Sequence, residues 1–408
     1  MSRRLPAGRG FALLAMALVV MLTGVAAAQT PFSLYAFGQN VDAGTARDLG
    51  RGGWGMAAAD TLTPGTLNPA AAADLRYASL IFSGWSERAD NTGPDGQRLT
   101  RRVIVPDVRL ALPLKSGRLA LHTGYNVKRS MEWESRQAIT IDHFGETVSG
   151  FERYKRTGSL WQVPIGLSWR PAEALAVAGS VNLVRGSITD QIDQLFVDPL
   201  DNYYLPNTRT QKDEMTGTSF TAALLLDGPG RLSLGASLTT AYDLRMARET
   251  SLGGVAARSY ETFDAAMPAE YRAGMMLDLG RHWRVGADGQ LARYSELTGR
   301  PDWETVLQDE WTLAAGIERE LERTQFGRRY RAPLRAGFQW RRWAHTVNGS
   351  PVDERTVSVG TGVPFRNRLG AIDLSLSYSW IGDQAENGYR SNVWRLGVSL
   401  TGLEPLVF

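Results

Sequence analysis

The strongest constraint on this 408-residue chain is a period of two that returns along most of its length. It is plainest in Trp161-Gln162-Val163-Pro164-Ile165-Gly166-Leu167-Ser168-Trp169-Arg170, where odd positions are large and apolar and even ones are small, polar or charged. Such alternation puts the apolar side chains on one face of a strand. The row starts and ends in tryptophan, as a lipid-facing row does when aromatics sit at the two headgroup layers. Eight residue steps of about 3.3 Å, tilted by about 40°, rise roughly 20 Å, close to the apolar band of an outer-membrane barrel.

Further rows of the same kind are Leu119, Leu121, Thr123, Tyr125 and Val127; Phe220, Ala222, Leu224 and Leu226; Tyr271, Ala273, Met275 and Leu277; Ile372, Leu374, Leu376, Tyr378 and Trp380; and Trp394, Leu396, Val398 and Leu400. Between residues 76 and 403 the count comes to about fourteen strands, an even number as single-chain outer-membrane barrels require. Turns near Lys115, Pro171, Asp227, Gly280, Glu322 and Arg366 read as short. The polar stretches Asn91 to Gly96, Asp142 to Glu152, Asp190 to Asp213 and Glu249 to Thr262 read as longer loops. Short periplasmic turns alternating with longer external loops give this rhythm. A soluble sandwich explains the alternation, but not the parity and the aromatic row ends together.

Composition removes several alternatives. After the leader no run of about eighteen apolar residues occurs, which excludes helical spans. Mean hydropathy is -0.23, as expected where lipid-facing and lumen-facing residues alternate. With 0 Cys there are no disulfides or thiolate metal sites, and the 4 His (His122, His143, His282, His345) are too scattered for a metal cluster or a triad. Net charge is +3 from 45 basic and 42 acidic residues without a basic block, so nucleic acid is not an expected partner. Neither Gly-x-Ser-x-Gly nor His-Glu-x-x-His occurs, and Gly50-Arg51-Gly52-Gly53-Trp54-Gly55 lacks the Gly-Lys-Ser/Thr of a phosphate loop. No enzyme activity and no cofactor are expected.

Arg3, Arg4 and Arg9 precede the apolar run Phe11 to Leu22, and Ala26-Ala27-Ala28 offers an A-x-A cleavage site. Residues 1–28 therefore read as a signal peptide for export to the outer membrane. Residues 29–75 do not alternate and are rich in Gly and Ala, which lets backbone pass close to backbone. A barrel of about fourteen strands has a lumen too wide for side chains alone to fill, and this segment is the expected plug. Residues 76–403 make the barrel and 404–408 a short tail, since Glu404-Pro405 comes before the terminal Phe408.

The carriers of a family likeness are Ala46-Arg47-Asp48-Leu49-Gly50-Arg51-Gly52-Gly53, Ala57-Ala58-Ala59-Asp60 and Leu67-Asn68-Pro69-Ala70, placed just ahead of the first strand. In these the chain resembles the FadL/TodX (OMPP1) outer-membrane transporters of long-chain fatty acids and other hydrophobic compounds. It bears a more distant likeness to shuttle barrels of type IX secretion. The first resemblance implies passive uptake of a hydrophobic ligand, with sideways exit through a gap beside a kinked third strand. It further implies that Asn68, Pro69 and Ala70 of the hatch face that gap. Gly124, without a Cβ in an otherwise regular strand, is the candidate kink; it is equally one of many lumen glycines.

Inward positions are rich in arginine, including Arg109, Arg170, Arg284, Arg335, Arg341 and Arg395, with Asp243, Asp288, Asp373 and Glu318 among them. These charges neutralise one another across strands, or one unpaired arginine such as Arg284, Arg335 or Arg395 grips a ligand carboxylate. Two other functions fit the same pattern: a general or anion-preferring porin, and a scaffold or shuttle for secreted protein. The expected partners are a hydrophobic ligand, outer-membrane lipid and lipopolysaccharide, and the barrel-assembly machinery during biogenesis. The expected state is a monomer.

Overall fold

The computed structural model describes residues 29–42, 44–59, 63–94, 96–115, 117–143, 146–196, 207–253, 258–297, 306–325, 328–365 and 370–404. Residues 1–28, read above as a signal peptide, and residues 405–408 lie outside these. The segment before the barrel holds a 3₁₀ turn at Pro31–Leu34, β1 (Gln39–Asn40), α1 (Ala46–Gly50) and a second 3₁₀ turn at Pro69–Asp74. The wall begins with β2 (Ala78–Gly93), β3 (Gly96–Lys115), β4 (Leu119–His143), β5 (Glu146–Ala172), β6 (Leu175–Phe196) and β7 (Asn207–Asp227). It continues through β8 (Leu232–Thr239), β9 (Tyr242–Leu252), β10 (Arg258–Met267), β11 (Glu270–Gly280) and β12 (Trp283–Ala292). The last strands are β13 (Glu310–Gln325), β14 (Arg328–Val347), β15 (Ser350–Pro364), β16 (Gly370–Ile381) and β17 (Arg390–Glu404).

Wall neighbours are antiparallel, and β17 pairs with β2 to close the cylinder. β8 and β9 lie end to end along β7, and β11 and β10 lie along β8 and β9 in turn. Each couple is one wall strand broken once, the second at Pro268, which has no N–H to give a ladder. The sixteen segments β2 to β17 therefore make fourteen wall strands. Along β5, Ile165, Leu167 and Trp169 are 48%, 50% and 54% exposed while Gly166 and Ser168 are buried, so the apolar row faces outward. On the outer face Tyr378 meets Trp380 edge-on (ring centroids 4.8 Å apart) and Trp394 at a tilt (4.6 Å).

Four stretches expected as loops are largely strand. β4 and β5 stay paired up to His143–Glu146, β2 and β3 up to Gly93–Gly96, β9 and β10 to Ser251–Arg258, and β6 and β7 run to Gln194–Asn207. Beyond the lipid nothing requires apolar side chains outside, so the alternation fades while backbone pairing continues.

One seam interrupts the wall. β3 and β4 pair from Lys115–Leu119 only as far as Asp107–Asn126; past that point β3 stays with β2, and β4 with β5. The amino-terminal segment occupies the split. Gln39 and Asn40 pair with Ser130 and Arg129 of β4, Val41 N–H donates to Lys128 O (3.0 Å), and Gln29 N–H donates to Glu132 O (2.7 Å).

Candidate functional site

The hatch is tied into the lumen by a few polar residues. Thr45 caps α1: its hydroxyl accepts from Asp48 N–H (3.3 Å), and the Asp48 carboxylate accepts from Thr45 N–H (2.8 Å), a capping box. The same carboxylate accepts from the Thr66 hydroxyl (2.6 Å) and pairs with Arg51 (2.6 Å), fastening the two halves of the hatch together. Burial alone would raise the Asp48 carboxyl; Arg51, the Thr45 N–H and the Thr66 hydroxyl hold it below the usual range.

Asn68 is fully buried and uses both ends of its amide. Its Nδ2 donates to Met56 O (2.7 Å) and Leu224 O (2.9 Å), while Oδ1 accepts from Ala70 N–H (3.0 Å). Pro69 follows as the first residue of its 3₁₀ turn, where a missing N–H costs nothing, and its carbonyl accepts from the Ser168 hydroxyl (2.7 Å). Ala70, Ala71 and Ala73 then pack on Ala176, Ala178, Ala223 and Leu225, small side chains that let the turn lie flat on the wall. Asp288 holds the other flank, its Oδ2 accepting from Gly55 N–H (2.6 Å) and Met56 N–H (2.8 Å).

Wall glycines make room for this plug. A Cβ on Gly235 would lie 1.9 Å from Met56 O, and one on Gly337 would lie 2.2 Å from the Arg51 carbonyl carbon. Across the sheet Gly235 faces Gly274, Gly286 faces Gly316, and Gly316 faces Gly337. This register was not read from the sequence, although inward glycines on successive strands were there to be aligned.

Above α1 a lattice of ion pairs crosses the lumen. Asp42 of the hatch bridges Arg341 and Arg395, the latter at 2.6 Å, and Arg395 also holds Glu87 at 2.6 Å. Arg47 pairs with Glu318 (3.1 Å), which also takes Arg335 (2.7 Å) and Arg284 (3.1 Å); Arg335 reaches Asp373 (2.7 Å) and Arg284 reaches Glu320 (2.6 Å). Arg284, Arg335 and Arg395 thus each carry carboxylate partners. Arg129 pairs with Glu310 (2.7 Å), and Lys128 pairs with Glu270.

Over this lattice, on the side away from the short turns, the lumen becomes apolar. Met131, Leu160, Val184, Ile188, Met215, Leu244, Met246 and Met267 converge on Phe37 of the amino-terminal segment. The inward row of β4 changes phase at the irregularity between Val127 and Arg129, which turns Met131 inward. Gly124 lies below, where the β4–β5 ladder skips Gly124 and Tyr125 opposite Val163 and Pro164. Pro164, Pro69, Arg109 and His122 line one cavity beneath the chamber, which brings the Asn68-Pro69-Ala70 turn near that irregularity. At the seam itself Val41 and Leu49 pack with Trp85 and Val127, flanked by Ile104, Tyr125 and Trp161.

The model of the family described as BamG matches residues 9–403. The chain belongs to the BamG family. No curated protein matches this BamG member. Among solved structures its fold matches a Pseudomonas aeruginosa FadL homologue (TM-score 0.60, 14% identity, covering 89% of this chain and 99% of that one). It also matches the Pseudomonas putida toluene transporter TodX (0.58, 15%, 90% and 99%) and the Ralstonia pickettii toluene transporter TbuX (0.56, 14%, 90% and 99%). The chain therefore has the fourteen-strand FadL-type barrel fold expected from its sequence.

Proposed function

We propose that this barrel admits a small hydrophobic compound into the methionine-lined chamber and releases it sideways through the β3–β4 seam, with the amino-terminal segment 29–41 as the movable closure. The observation that carries this reading is the chamber: four methionines and several aliphatic side chains in a lumen otherwise crossed by charge. Methionine is flexible and polarizable and re-packs around ligands of different shape. An apolar solute gains about 25 cal/mol per Å² on leaving water, and a sideways route spares it the charged layer below. Ile104, Tyr125 and Trp161 give that route an apolar border. Asn68, Pro69 and Ala70 then anchor the fixed part of the hatch, and Gly124 lets β4 bend at the base of the opening.

A compound without a carboxylate suits the chamber better than a fatty acid, because a head-group role for Arg284, Arg335 or Arg395 would require an existing ion pair to break. The test is binding of toluene and of palmitate to purified protein in a non-ionic detergent. Toluene is expected to bind more tightly than palmitate, and M131Q/M246Q to weaken it about tenfold, the scale of burying polar groups against an apolar ligand. Binding of neither compound, with steady ion conductance of the wild-type protein, would favour an aqueous pore.

Membership in the BamG family over nearly the whole chain favours a second reading, a hatch-locked barrel that works beside the barrel-assembly machinery. Its mark would be co-purification with components of that machinery from mild detergent, together with indifference to hydrophobic ligands.

A further inference from the structure

The outer face carries a feature that neither transport nor hatch locking uses. Arg88 of β2 and Arg101 of β3 are direct cross-strand partners, and both are exposed. Like charges directly opposite each other on one face of a sheet are destabilising. Among the described residues the one acidic contact here is Arg88 to Asp90 at 4.0 Å, with both side chains about half exposed, a geometry that contributes little. Arg101 has no ion pair among the described residues. On its other side Arg88 faces Trp394, which packs at a tilt against Tyr378, so the arginines sit at the rim of the aromatic girdle. Exposed Arg390 stands above on β17 and exposed Arg355, facing Trp380, lies along the rim on β15; the nearby Asp353 is already paired with Arg342 at 2.9 Å.

This rim is the one from which the long hairpins β4–β5 and β6–β7 project, opposite the end where Ala78 pairs with Glu404, hence the outer-leaflet side of the membrane. At that depth aromatic side chains mark the headgroup layer, and a guanidinium pair is pre-set for the bidentate hydrogen bonds that a phosphate accepts. We propose that Arg88 and Arg101 form a phosphate-binding site for a phosphorylated glycolipid of the outer leaflet, its acyl chains lying on the apolar row of β17. The bound phosphate relieves the repulsion between the two guanidinium groups, which explains why an opposed arginine pair is kept at this height. The proposal rests on the outer-membrane placement of the barrel and not on what passes through it.

The experiment measures thermal unfolding of the purified full-length protein in non-ionic detergent with lipid A carrying both phosphates, with enzymatically dephosphorylated lipid A, or with inorganic phosphate. The variants are R101Q, R88Q/R101Q and R118Q, the last an exposed arginine at the opposite end of the barrel. Phosphorylated lipid A is expected to raise the wild-type and R118Q unfolding temperatures alike, with about tenfold weaker apparent affinity for R101Q and no saturable rise for the double variant. Without lipid, R101Q is expected to unfold at the wild-type temperature or above it, since a repulsive contact has gone. Equal shifts for all variants, or a full shift with dephosphorylated lipid A, would overturn the site. A full shift with millimolar inorganic phosphate alone would assign it to the free anion and overturn the lipid.

Discussion

At the scale of single residues, the hatch is held by buried polar groups that use both their donors and their acceptors. Asn68 donates twice and accepts once, all while buried, so N68A removes a helix cap and leaves two carbonyls short of a donor. The expected cost is about 2–4 kcal/mol, confined to the hatch. Amide hydrogen exchange should accelerate across residues 45–75 in N68A while the wall strands keep their protection. G337V acts from the opposite side, because its side chain must displace the Arg51 backbone; it should insert as a barrel, yet show hatch exchange near that of free peptide. That Asn68-Pro69 starts a turn was legible in the sequence, because Pro and Asn punctuate the chain locally. The tasks of Asp42 and Asp48 were not, because their partners Arg341, Arg395 and Thr66 are set by closure of the barrel and the fold of the hatch. Arginine pairing across strands was foreseen as one of two readings; which carboxylate each would meet depended on the register.

At the scale of elements, β4 shows where period-two reasoning holds and where it stops. Its lower half reads correctly as Leu119, Leu121, Thr123 and Tyr125 outward, because lipid on one side and polar hatch on the other impose the alternation. Past Val127 the strand changes phase, leaves β3 and turns Met131 and Trp133 inward, so a pattern read in one phase ends there although the strand runs to His143. Nothing in the local sequence says that residues 29–41 will fill the space β3 leaves. That segment is latched by Asp42. Burial would raise its carboxyl, but Arg341 and Arg395 pull it down to about 2, below the value near 3.9 of an unfolded chain. A depressed carboxyl stabilises fully above the unfolded value and loses its contribution as pH falls through the folded one. Proteolytic cleavage within residues 29–41 should therefore stay slow down to about pH 4 and accelerate towards pH 2, read with an acid-active protease. D42N should show the fast cleavage already at neutral pH.

For the whole molecule, the barrel wall and its plug play separate roles. Fourteen paired strands fix the cylinder whatever the hatch does, whereas the seam, the chamber and the latch all meet on one short segment that pairs with β4 through two residues. If that segment is the closure, fixing it to β4 must stop traffic without disturbing the wall. The absence of cysteine makes the test clean. Gln39 and Ser130 are register partners, and antiparallel partners lie at the Cα separation a disulfide spans. Oxidised Q39C/S130C is expected to lose uptake of toluene into proteoliposomes, to keep the wild-type unfolding temperature or gain a few degrees, and to recover uptake on reduction. Uptake that persists with the bridge closed would mean that the compound does not pass the seam, and would leave the amino-terminal segment as a fixed part of the wall. Loss of uptake that reduction fails to restore would point to damage by the substitutions themselves, which the single variants Q39C and S130C would then reproduce.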